Sequence, residues 1–253
     1  MYLQGELSAL GVPATVQKYG TGSNVYGILK ASTPSTANII VGAHFDTVPG
    51  SPGANDNATG VALVMAVARY LVSVDCRQSN VYFVFFDEEE VGLVGSGKFA
   101  AFLNESAASV TSVHTIDQVG WDKDGDRAIE LERPSGDLYA DWVASRDAAG
   151  LTMPLHLVST GSTDHVSFRA NGFSAIGITE EYVNGDTSPN YHKATDAYDS
   201  VNFAYLRSAT VLANSHFARL VRVPPARATM GFTRLSPANR APRKAGCRHA
   251  YEP

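Results

Sequence analysis

The chain has 253 residues, 44% of them hydrophobic, with a formal net charge of −5, which is enough for one large folded domain. No apolar run reaches the length needed to span a membrane. Residues 222–253 carry seven Lys or Arg and one acid, Glu252, leaving 13 basic and 24 acidic residues in 1–221; so acidic a body argues against nucleic acid as a partner.

The opening residues 2–10 contain Glu6 and lack both a basic n-region and an apolar h-region, so they read as an amphipathic helix rather than a signal peptide. The expected location is secreted or periplasmic if a signal peptide has been removed and cytoplasmic otherwise, and the sequence does not choose between them. Ala14–Gln17 and Val25–Leu29 read as two strands joined by a hairpin turn over Gly20–Ser23. The β-branched run from Asn38 to Ala43 predicts a buried strand ending at His44 and Asp46, whose spacing of two puts both side chains on one face. A Gly-, Pro- and Ser-rich loop leads to Asp56, and a helix follows over residues 59–72. Val81–Phe86 is a second apolar strand and runs into Asp87-Glu88-Glu89-Glu90-Val91-Gly92-Leu93.

A short helix is predicted over Gly97–Leu103, a strand over Val113–Ile116 ending on Asp117, and a helix over Asp137–Ala149. Leu155–Val158 (strand), Asp164–Ala170 (short helix) and Ala175–Ile178 (strand) follow. The long loop Glu180–Tyr198 carries His192, and Phe203–Leu220 is the last helix. Apolar strands alternating with helices indicate an α/β fold: a single domain over 1–221 with a mixed, mostly parallel sheet covered on both faces. The Pro-, Ala- and Arg-rich segment 222–253 reads as a disordered tail or linker. Two cysteines, Cys76 and Cys247, indicate neither a disulfide framework nor a cysteine-based zinc site.

His44, Asp56, Glu89 or Glu90, Asp117 and His192 all fall at strand ends or in the loops after them. Any one alone is an ordinary turn residue, helix cap or solvated side chain. Together they make the mixed imidazole and carboxylate set that binds zinc, and Asp56 could bridge two ions.

The blocks HFDTVPGSPGANDNATG, FVFFDEEEVGLVGS, IDQVG, STDHVSF and YHKATDAYDSV resemble, in order, the motifs of the co-catalytic zinc aminopeptidases. That clan also holds glutamate carboxypeptidase, glutaminyl cyclase and the transferrin-receptor ectodomain. The resemblance covers residues 1–221 and implies a zinc-exopeptidase-like fold, two Zn2+ per chain and a peptide or protein N-terminus as substrate. It implies that His44 and Asp117 hold one ion, Glu90 and His192 the other, and Asp56 both. Glu89 would be the general base, with Asp46 fixing the His44 tautomer as a further catalytic-site residue.

The family also implies a non-proline cis bond at Asp56-Asn57. Asp164 and His165 match its Ser-Asp-His block, beside the ligands or in the substrate site, and Tyr182 and Tyr191 are candidates for the substrate wall. His114, His156, His216 and His249 match no ligand. The rival functions are a one-zinc glutaminyl cyclase, a carboxypeptidase using Lys193 or Arg169, and a non-catalytic binding domain.

Overall fold

A computed structural model of the chain describes residues 2–159 and 161–223. In chain order the elements are α1 (Tyr2–Ala9), β1 (Ala14–Tyr19), β2 (Gly22–Leu29), β3 (Asn38–His44), α2 (Ala58–Val72), β4 (Asn80–Phe86), α3 (Val94–Glu105) and β5 (Val110–Asp117). They continue with β6 (Ile129–Glu132), α4 (Leu138–Ala148), β7 (Leu155–Val158), α5 (His165–Ala170), β8 (Ala175–Thr179) and α6 (Phe203–Leu220). The strands form one sheet in the order β1-β2-β4-β3-β5-β8-β6-β7.

Its centre, β4-β3-β5-β8, is parallel, so these strands end at one edge of the sheet. That shared edge is where an open α/β sheet gathers its chemistry. The β1–β2 hairpin extends one side antiparallel to β4, and β6 reverses direction against β8 on the other.

Alternation along the central strands builds a core on each face. Val81, Phe83 and Phe85 of β4 join Ile39, Val41 and Ala43 of β3 under α2, α4 and α6. Val84 and Phe86 join Ile40 under α3 and α5, with Phe99 and Phe168. Phe99 meets Tyr26, Tyr82 and Phe86 edge-on, at centroid distances of 5.3, 6.4 and 6.1 Å. Such pairs add about 0.5–1.5 kcal/mol each beyond the area they bury.

Two expectations needed correction. The hairpin turn is shorter than predicted, since Gly22 and Ser23 are already in β2 and pair with Tyr19 and Lys18. β6 was missed because Glu130 and Glu132 gave Ile129–Glu132 the look of a loop, yet all four residues are buried. Glu130 survives there because its carboxylate accepts the backbone N–H groups of Val183 and Asn184, which anchors the loop after β8. Cys247 and His249, like all of the predicted tail beyond residue 223, lie outside the described residues. No described helix is long and apolar enough to cross a membrane.

Two of the unassigned histidines are core residues. Trp142 Nε1 donates to His114 Nδ1 at 3.2 Å, and His114 Nε2 meets Ser112 Oγ at 3.0 Å. His216 stacks on Trp142 at 4.0 Å and donates from Nδ1 to Ser145 Oγ. Burial pushes His114 down to about 3, and holds His216 well below the usual imidazole range with His114 and Arg219 adding to the effect.

Both are thus neutral in the folded chain and take up protons below about pH 6.5 once it unfolds, so they remove stability as pH falls from there. The urea midpoint is expected to drop between pH 7 and 4. His216→Phe should flatten the pH dependence of unfolding free energy by up to about 1.4 kcal/mol per pH unit, one proton's worth.

Candidate metal centre and active site

Four backbone devices bring the predicted residues together at the ends of β3, β4, β5 and β8. His44 is the last residue of β3 and Asp117 the last of β5. Asn57 caps α2 by accepting Gly60 N–H at 3.0 Å, while its amide donates to Ile116 O at 2.9 Å. This ties the start of α2 to the end of β5 and sets Asp56 beside Asp117; the Asp56-Asn57 bond is cis, as the resemblance implied.

After β4, the Asp46 carboxylate accepts Glu89 N–H on Oδ1 and Glu90 N–H on Oδ2, at 3.0 and 3.1 Å. Asp196 does the same for Asn55 and Asp56, at 2.8 and 3.0 Å. Glu180 takes Asn55 Nδ2 and the N–H groups of Gly120 and Trp121.

The resulting geometry is compact. His44 Nε2 lies 3.2 Å from Asp117 Oδ1 and 3.3 Å from Asp56 Oδ1. His192 Nε2 lies 3.2 Å from Asp56 Oδ2 and 3.1 Å from Glu90 Oε2. Asp56 therefore turns one oxygen to each imidazole. Glu89 completes a second group with His44 and Asp117, their ligand atoms all within 4.8 Å of one another. The other side of the His44 ring meets Asp46, with Nδ1 at 3.2 Å from its carbonyl and 3.4 Å from its carboxylate.

Asp56, Glu89, Glu90, Asp117 and His192 line a cavity of about 60 Å³, to which no Lys or Arg among the described residues contributes. Burial pushes Glu89 up to about 9, with Asp117 adding to the effect and His44 opposing it. Burial and then Asp56 push Glu90 up to about 7, and its Oε1 is buried with no hydrogen-bond partner. Acceptors so crowded call for cations, and two imidazole nitrogens with carboxylate oxygens are a donor set that fits zinc.

Residues 24–215 match the family described as Peptidase family M28. The chain belongs to peptidase family M28. Aminopeptidase YwaD of Bacillus subtilis (strain 168) is 34% identical over 197 residues, covering 75% of this chain and 42% of that protein. The solved structure of BSAP, a zinc aminopeptidase from Bacillus subtilis, superposes with a TM-score of 0.74 at 26% identity, over 81% of this chain and 52% of that one. LapA aminopeptidase of Legionella pneumophila shares the fold, with a TM-score of 0.78 at 23% identity over 88% and 64% of the two chains. The M28 chain described here spans less than half the length of the curated relatives it matches.

Within this M28 fold the remaining candidates divide. Tyr182 and Tyr191 both line the cavity, 5.5 Å apart edge-on, and Tyr191 stacks on His192 at 3.7 Å. Asp164 and His165 are buried and are not among the residues that line the cavity, which leaves them, of the two places the resemblance implied, beside the ligands. Asp46 also stays outside the cavity lining and acts on His44, Glu89 and Glu90 from behind. Glu88 turns away to accept Thr21 Oγ1 at 2.8 Å.

Asp196 and Glu180 were missed as supporting residues. Asp196 lies inside the quoted block YHKATDAYDSV, but nothing in its spacing says that it reaches back 140 residues to Asp56.

Proposed function

We propose that this chain is the catalytic domain of a zinc-dependent aminopeptidase, which removes the N-terminal residue from peptides. The observation that carries the reading is Asp56, which offers one oxygen to each of two imidazoles already flanked by Asp117 and Glu90. His44 and Asp117 would hold one zinc ion, Glu90 and His192 a second, and Asp56 both. When bound, the pair supplies acidification of water and Lewis-acid polarisation of a carbonyl.

Glu89 takes the proton of the attacking water as its oxygen bonds to the scissile carbonyl carbon, and returns that proton to the amine as the C–N bond breaks. Asp46 holds the His44 ring and the backbone N–H groups of Glu89 and Glu90, so base and ligands keep a fixed relation.

That no Lys or Arg among the described residues lines the cavity favours this reading over a carboxypeptidase, which must bind a substrate carboxylate. Lys193 donates instead to Pro189 O, and Arg169 to Arg133 O.

The test is zinc content by elemental analysis, together with hydrolysis of aminoacyl p-nitroanilides before and after chelation. About two zinc per chain, with release from unblocked substrates that chelation abolishes, is the expected result. Turnover that survives full metal removal, or cyclisation of N-terminal glutamine with no hydrolysis, would overturn it.

Asp196→Asn supplies a second check. The amide would turn an N–H toward the N–H of Asn55 or Asp56, releasing the loop that carries Asp56. Zinc affinity should fall about 10–100-fold, read by competition with a chromogenic chelator.

A further inference from the structure

Beyond the histidine–carboxylate cluster, the cavity wall continues with Glu132, Ser162, Thr163, Thr179, Glu180 and Tyr182. Two of these are carboxylates with no part in the proposed ligand set, and their surroundings differ. Glu180 is saturated by Asn55 Nδ2, at 3.0 Å from both oxygens, and by the N–H groups of Gly120 and Trp121 at 3.0 and 2.7 Å. Glu132 is only 4% exposed, yet among the described residues its one hydrogen bond comes from Thr163 Oγ1, at 3.2 Å.

His165 Nδ1 lies 3.6 Å from Glu132 Oε2 and 2.9 Å from Thr163 Oγ1. The threonine gives its single proton to Glu132 and so accepts from His165 Nδ1–H. Burial keeps that imidazole neutral, pushing it down to about 4. Neither neighbour neutralises the carboxylate; burial pushes it up to about 8, with Asp117 adding to the effect, so that its charged form is costly until a cation joins it.

The backbone is shaped around this side chain. A Cβ at Gly177 would lie 2.7 Å from Glu132 Oε2, and one at Gly161 would lie 3.0 Å from its Cδ. Register sets its distance from the reacting centre: Glu132 pairs with Gly177, whereas Asp117 pairs with Thr179. Glu132 thus stands two strands across from Asp117 and two residues deeper, about 10 Å and about 7 Å respectively. The α-ammonium of a peptide, two bonds from the scissile carbon, belongs at the cluster. A group placed as Glu132 is meets the far end of a long side chain.

We infer that Glu132 selects an N-terminal residue with a cationic side chain, lysine or arginine, a specificity that rests on the aminopeptidase reading above. A guanidinium or ammonium completes the pairing that the fold leaves open. An apolar side chain of similar length would strand the carboxylate without water or partner.

The test uses the zinc-loaded full chain and compares kcat/KM for arginine, lysine and norleucine p-nitroanilides. Calorimetric binding of argininamide and norleucinamide runs beside it. Arginine or lysine should exceed norleucine at least tenfold, and the ratio should fall below about twofold in Glu132→Gln and invert in Glu132→Leu. The two amides should rank the same way.

A wild-type preference for norleucine would overturn the inference. So would an equal loss for every substrate in Glu132→Gln, which would mark the residue as an α-ammonium site instead. If no substrate were hydrolysed, the aminopeptidase reading would fail, while the ranking of the two amides would still decide whether Glu132 takes a cation.

Discussion

Glutamine in place of Glu89 should lower kcat by two to four orders of magnitude while the zinc content stays at its wild-type value. The reason is the way Asp46 holds this turn. Its two oxygens take the backbone N–H groups of consecutive residues, Glu89 and Glu90, so their side chains leave in different directions. Glu90 reaches His192 at 3.1 Å, whereas Glu89 joins His44 and Asp117. The amide keeps the size of Glu89 and its place in the cavity but cannot take up a proton. Glu88 faces Thr21, so Glu88→Gln should leave kcat within a few-fold of wild type. Steady-state rates alongside elemental analysis decide the matter. Full loss in Glu88→Gln with activity retained in Glu89→Gln would mean that the base is one residue earlier than assigned.

Asp56→Asn should reduce zinc to less than one ion per chain and remove turnover with it. Among the described residues, no other carboxylate turns its two oxygens to two different imidazoles, at 3.3 and 3.2 Å. An asparagine offers one oxygen and one N–H, so one side of the pair would face a donor. Asp117→Asn and Glu90→Gln each touch one imidazole only and should lose a single ion. Elemental analysis of the three variants, with thermal unfolding before and after zinc addition, separates these outcomes. If Asp56→Asn kept two ions, the bridging assignment would be wrong.

The two variants probe different things. The first asks whether chemistry runs through a carboxylate that binds no metal. The second asks whether the cluster is one centre or two adjacent ones. Neither depends on the specificity assigned to Glu132, which sits about two strands away from Asp117.

Much of this was open to a reading of the sequence. The runs Asn38–Ala43 and Val81–Phe86 could only be buried strands, because their side chains are apolar on both faces. The ends of such strands meet water, so His44, Asp117 and the glutamates after Phe86 had to lie at one edge once the strands were parallel. Among Glu88, Glu89 and Glu90 the choice of base and ligand came from the resemblance alone, and the Glu88 and Glu89 variants above test it.

What sequence could not supply was any contact made across the fold by a residue with no local signature. Ile129–Glu132 looked like a loop because its glutamates find their partners in other elements: Val183 and Asn184 for Glu130, Thr163 for Glu132. Asp196 and Glu180 read as ordinary loop acids until the chain brought them to Asn55 and Asp56. The strands, and the residues at their ends, follow from hydrophobic pattern, which is local. Which buried carboxylate is satisfied by backbone N–H groups, and which faces an open cavity, depends on neighbours distant in sequence, and only the tertiary structure decided that.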